Sequence, residues 1–386
     1  MSTGIRNHTT NATLADNPPL TLGSAGQSIW LDYIRRDLIE SGGLAKMIAT
    51  DGLVGMTSNP AIFERAVATD PAYQGWLRNF SGDRRNLKAA YEQLAIRDIR
   101  DAADALAPVY ARTRGRDGYV SLEVSPDLAA DTAGTIAEAR RLWQAVGKPN
   151  LMIKVPGTPN GIPAIRALIA LGLNVNVTLL FARSAYEAAA EAYIAGLEDR
   201  AKQGQSVTGI ASVASFFVSR IDAAIDPQLN EIAKSGGPNA ALATSLCGRI
   251  AIANAKVAYA RYQELISAPR WQALAAAAAR PQRLLWASTG TKNPAYRDVV
   301  YVEELIGADT VNTLPPATLN AFRDHGAVRA SLNENMAAAH QALSDLSTLG
   351  ISLESVTAGL LKDGVRQFEE AFVKLLESVE RAINPR

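Results

Sequence analysis

Apolar and polar positions alternate with period two in several short runs, and helix-like spacing fills the stretches between them. In residues 173–180, Leu173, Val175, Val177 and Leu179 share one face, while Asn174, Asn176 and Thr178 share the other. Residues 119–125 set Val120, Leu122 and Val124 against Ser121, Glu123 and Ser125. Residues 28–33 put Trp30 and Asp32 together, and residues 52–60 end with Thr57 and Asn59 in step before Pro60. Residues 150–157 carry a lysine, Lys154, inside an apolar run that stops at Pro156-Gly157. Three further runs, 207–215, 283–289 and 308–314, bring the strands to eight.

Each run alone fits an antiparallel strand with its polar face in water. Amphipathic stretches at 129–146, 162–171 and 182–202 lie between them instead of tight hairpins, which argues for parallel βαβ units. A parallel sheet is covered on both faces, so its polar residues must converge somewhere enclosed. Eight strand–helix units predict an α/β fold, a (β/α)8 TIM barrel, with functional groups at the C-terminal ends of the strands. Asp32, Asn59, Glu123, Lys154, Asn176, Thr178, Ser215 and Ser288 all fall in the second half of their runs or just beyond. On its own segment, Lys154 fits equally an edge strand with its amine in solvent. Inside a closed barrel it would be desolvated, and an uncharged amine is a nucleophile for carbonyl groups.

The widest spacing, residues 216–282, predicts an enlarged connection between the sixth and seventh strands, and residues 331–383 predict C-terminal helices packed across the barrel. The first 27 residues are rich in Thr, Asn, Gly and Ser and lack a basic start followed by an apolar core. They are taken as a mobile leader (1–27) ahead of one barrel domain (28–386) that includes the C-terminal helices. With no secretory signal, the sequons at Asn7, Asn11 and Asn176 carry no expectation of glycosylation, and a cytoplasmic location follows.

Composition narrows the chemistry. The 386 residues are 48% apolar with a net charge of +1, which offers no electrostatic case for nucleic acid or an anionic membrane. No apolar run approaches the ~20 residues that span a bilayer. The one cysteine, Cys247, excludes an intrachain disulfide. His8, His325 and His340 have no partners at metal-ligand spacing, so neither a zinc site nor a histidine base is expected. There is no G-x-G-x-x-G after a strand, and residues 288–292 (STGTK) do not fit a Walker motif. No cofactor is expected.

Several motifs in fixed order resemble the transaldolase family, particularly its longer bacterial form. They are Trp30-Leu31-Asp32, residues 56–63 (MTSNPAIF), 121–124 (SLEV), 153–158 (IKVPGT), 172–181 (GLNVNVTLLF), 214–222 (ASFFVSRID) and 286–294 (WASTGTKNP). The leader has no counterpart in the family pattern, and Lys292 stands where many relatives place an arginine nearer the serine. The resemblance implies a class I aldolase-type barrel that moves a dihydroxyacetone unit between phosphorylated ketose and aldose sugars, as a monomer or homodimer.

It also implies roles. Lys154 would form a Schiff base with the ketone. Glu123, with Thr178 and a water, would shuttle protons, and Asp32 would take the proton from the C4 hydroxyl. Thr57, Asn59 and Asn176 would hold the sugar, while Ser215 and Phe217 would shape the wall. Arg220, Ser288 and Lys292 would meet the phosphate. Each has a plainer alternative: an ion pair for Glu123, orientation of Lys154 for Asp32, capping for the two asparagines, core packing for Phe217, a surface charge for Lys292. Two other functions stay open: an aldolase that releases free dihydroxyacetone, against which Glu123 argues because such an enzyme would carry a tyrosine as its proton shuttle, and a non-catalytic sugar-phosphate sensor.

Overall fold

A computed structural model describes residues 17–384 and shows a closed barrel of eight parallel strands. They are β1 (Gln27–Asp32), β2 (Leu53–Thr57), β3 (Tyr119–Glu123), β4 (Leu151–Pro156), β5 (Val175–Leu180), β6 (Ser212–Phe217), β7 (Arg283–Ala287) and β8 (Thr310–Leu314). Each pairs with the next in chain order, and β1 closes the ring on β8, with Gln27 opposite Thr310. Helices cover the outside, so nearly every strand residue is buried whichever way it points. The alternation in the sequence therefore separates a polar lumen from an apolar seam beneath the helices, not solvent from core.

The β6–β7 connection carries four helices, Ser219–Lys234, Ala240–Leu246, Ile250–Ser267 and Pro269–Ala276. The β2–β3 connection, which periodicity did not single out, carries three more: Pro60–Thr69, Pro71–Arg78 and Leu87–Arg112. Strand β6 begins at Ser212, not 207, because Gly209 adopts a left-handed backbone (φ 82°) and breaks the run. The strand then continues to Phe217, which puts Phe217 on the same face as Ser215.

The leader boundary also moves. Residues 1–16, with His8, Asn7 and Asn11, lie outside the described residues. Residues 17–27 are built into the fold: Pro18–Ser24 is a helix, and its two prolines occupy first-turn positions where no backbone donor is missed. Leu22 is buried, and the Asn17 amide donates to the Thr50 carbonyl and to Asp51. Among the described residues, no helix is long and apolar enough to cross a membrane.

The N-terminal floor of the barrel is closed by a buried polar network. Arg283 donates to Asp117 and to the Ser28 hydroxyl, both at 2.8 Å. Ser28 donates to the second Asp117 oxygen, and the Trp30 indole donates to the first. Above it Trp30 fills the lumen. A Cβ on Gly55 would stand 2.5 Å from the Trp30 ring, so the indole fits only against bare backbone on β2.

Candidate active site

Strand register builds the centre of the site. Glu123, Lys154 and Asn176 are lateral neighbours on β3, β4 and β5. Lys154 Nζ stands 3.2 Å from Glu123 Oε2, and both side chains are about 5% exposed (6% and 5%). The lysine's aligned hydrogen bond goes to the Ser58 carbonyl at 3.1 Å. Neither Glu123 oxygen has an aligned hydrogen-bond partner among the described residues, and the same holds for the buried Thr178 hydroxyl. These are polar groups held out of water with capacity to spare, which is unusual unless something else engages them.

Burial pushes the Glu123 carboxyl up to about 7, against the lowering pull of Lys154; Asp32 adds to the rise. Asp32, at the end of β1, is also raised, first by burial, with Lys154, the Thr57 hydrogen bond and Arg220 opposing. Thr57 donates to Asp32 Oδ1 at 2.7 Å and shares a second contact with the Thr313 hydroxyl. Two carboxyls with elevated affinity for protons thus flank one amine, the arrangement expected where protons are exchanged near neutral pH.

This raised carboxyl has a consequence for stability. Native Glu123 holds its proton to higher pH than the usual 4.5, so the folded state binds more protons than the unfolded chain between about 4.5 and 7. Its contribution to stability is complete below that window and declines as pH rises through it. Glu123→Gln should remove that decline, and the variant should gain on the wild type by on the order of 2–3 kcal/mol between pH 4.5 and 8. Denaturant melts across that range measure it; parallel pH profiles for the two proteins would contradict it.

One cavity of about 690 Å³ opens at the C-terminal ends of the strands. Ten of the twelve residues singled out from the sequence line it: Asp32, Thr57, Asn59, Lys154, Thr178, Ser215, Phe217, Arg220, Ser288 and Lys292. Glu123 faces an adjoining small recess. Asn176 is not among the lining residues; it is fully buried, donating to Ser121 at 3.0 Å and accepting from Ser215 at 2.7 Å. Asn59 caps the helix Pro60–Thr69 by accepting from the Ile62 amide at 3.0 Å, which leaves its amide nitrogen without a partner among the described residues.

At the far side, Arg220 lies over the Phe217 ring (5.3 Å) and Ser288 contacts Ser219 at 3.1 Å. Lys292 makes no ion pair among the described residues. Ser288 has a left-handed backbone (φ 55°), and so does Leu179 (φ 60°), immediately after Thr178 at a register shift in β5. Such conformations cost about 1–3 kcal/mol each and cluster where a side chain must be aimed. Sequence reasoning missed Arg35, Arg65 and Phe368, which also line the cavity. The two arginines sit in the loop after β1 and the helix after β2, where strand parity says nothing. Phe368 arrives from a helix almost two hundred residues away in sequence from β5.

The chain is similar to known proteins along nearly its whole length. The family described as Transaldolase/Fructose-6-phosphate aldolase matches residues 29–379. A transaldolase of Thiobacillus denitrificans is 50% identical over 354 residues, covering 92% of this chain and 97% of the relative. A transaldolase of Trichodesmium erythraeum is 46% identical over 374 residues, covering 96% and 98%. A protein of Nostoc named Transaldolase 2 is 47% identical over 374 residues, covering 95% and 98%.

Proposed function

The chain belongs to the transaldolase and fructose-6-phosphate aldolase family and is a transferase of the transaldolase kind; from that premise we propose that it works through a Schiff base on Lys154. The substrates of that reading are sedoheptulose 7-phosphate and glyceraldehyde 3-phosphate, converted to erythrose 4-phosphate and fructose 6-phosphate. One observation carries it: a single amine enclosed at the top of the barrel, 3.2 Å from a carboxyl raised to about 7.

The uncharged Lys154 amine attacks the ketone carbon, and the C=O electrons take up a proton to give a carbinolamine. Glu123 hands a proton to the departing hydroxyl, which leaves as water, and the iminium forms. Asp32 then removes the C4 hydroxyl proton. The C3–C4 bond breaks, its electrons move toward the iminium nitrogen, and the aldose leaves from a three-carbon enamine. The acceptor aldehyde runs these steps in reverse. The Thr178 hydroxyl, without a hydrogen-bond partner among the described residues, is suited to hold the water that passes between the two carboxyls. Asn59 and Thr57 meet sugar hydroxyls, with Asn176 supporting Ser215 from below. Arg220, Ser288 and Lys292 take the phosphate, Arg220 by a two-pronged contact and Lys292 as a point charge.

The relatives compared are named transaldolases, which favours transfer over release of free dihydroxyacetone. The reading includes a cytoplasmic enzyme that is a monomer or homodimer. Borohydride reduction in the presence of fructose 6-phosphate, followed by peptide mass mapping, tests the centre of it. A three-carbon or hexose-phosphate adduct on Lys154 is expected. Adduct on Lys292, the other lysine in the cavity, or on no lysine, rejects the mechanism.

A further inference from the structure

The C-terminal helix Leu353–Ile383 lies across the open end of the barrel, against the helices Pro60–Thr69, Pro71–Arg78 and Ser219–Lys234. Its buried positions include Gly364, Phe368, Leu375, Val379 and Ile383, a stripe of seven- and four-residue steps along one face. Three contacts fix that face over the site. Gly364 meets Leu179 so closely that a Cβ there would stand 2.9 Å from the leucine side chain. Gln367 accepts from the Arg220 guanidinium at 3.0 Å. Phe372 packs edge-on against Tyr91, with ring centroids 5.9 Å apart. One turn beyond Gly364, the Phe368 ring is presented to the Lys154 nitrogen, 5.5 Å from the ring centroid, and forms part of the cavity wall.

We propose that Phe368 determines the fate of the three-carbon intermediate, roofing the Lys154 nitrogen so that the enamine waits for an acceptor aldehyde and is not released by water. The inference rests on the Schiff-base reading above. Release needs a proton at the enamine carbon, which regenerates the iminium. Water then adds to the iminium carbon, the C–N bond breaks with its electron pair going to nitrogen, and dihydroxyacetone leaves from the free Lys154 amine. An apolar ring against the nitrogen excludes the water required at both steps. Phe368 thus divides the intermediate between transfer and loss without exchanging a proton itself.

The test is the ratio of free dihydroxyacetone released to three-carbon units transferred, measured with fructose 6-phosphate and an acceptor aldose phosphate. Phe368→Ala should raise the ratio by at least about tenfold, and Phe368→Leu, which keeps apolar volume and secures the fold, by at least about threefold. Val373→Ala, on the exposed side of the same helix (55% exposed), should leave it unchanged. A residue that merely holds the helix would lower both activities together. An unchanged ratio in Phe368→Leu, with the wild-type adduct present on Lys154, overturns the proposal; absence of that wild-type adduct defeats the Schiff-base reading, and this inference with it.

Discussion

Lys154→Met should abolish transfer, lowering kcat by at least about 10⁴-fold, while the barrel folds normally. Methionine keeps the length and apolar stem of lysine and deletes only the amine, so the lumen stays filled. The carboxyl left behind does not become a buried unpaired charge. Glu123 is already raised to about 7 against the opposing pull of Lys154, and without that pull it moves further up and stays protonated. The variant should therefore be at least as stable as the wild type near neutral pH. No other amine among the described cavity residues replaces the lost nucleophile at that position, since Lys292 lies beyond the end of β7. Steady-state transfer assays and thermal melts on the same preparation decide it. Transfer above about one per cent of wild type would remove Lys154 from the centre of the reaction.

Asp117→Ala should destabilise the protein by about 3–5 kcal/mol without altering chemistry in the fraction that remains folded. The Asp117 carboxylate gathers three donors, from Ser28, Trp30 and Arg283, at the floor of the barrel. Arg283 and Asp117 are 6% and 7% exposed, so removing the carboxylate strands a guanidinium in a place water scarcely reaches. The expected cost is that of the orphaned charge rather than of the lost contact. Asp117→Ala with Arg283→Met should consequently recover much of the loss, because the pair would then be absent from both sides. Urea midpoints for the two single variants and the double variant measure this. A loss below about 1 kcal/mol, or a double variant no better than Asp117→Ala, would show that the floor is held by packing alone.

These two residues illustrate unequal legibility. Lys154 stands out in the sequence because a charge interrupts an apolar run, and strand parity aligns it with Glu123, Asn176 and Thr178. Asp117 gives no such sign. It lies in the turn before β3, and its partners come from β1 and β7, 89 and 166 residues away. Asn176 shows the limit of parity from the other side. Its inward face is the expected one, but only the tertiary structure shows it fully buried and already engaged by Ser121 and Ser215. Arg35 and Arg65 escape for a related reason: loop and helix positions beyond the strand ends have no period-two pattern to mark which way they face.

What the amino-acid order determined by itself was the set of strands, their inward faces and hence the amine with its neighbouring carboxyls, because side-chain alternation along a strand is a local property of the backbone. What only the tertiary structure decided was closure: which helix covers the mouth, which ring meets Lys154, which carboxylate seals the floor. Those contacts join segments far apart in the chain, and their geometry follows from how all the covering helices pack at once, which no short window of sequence contains.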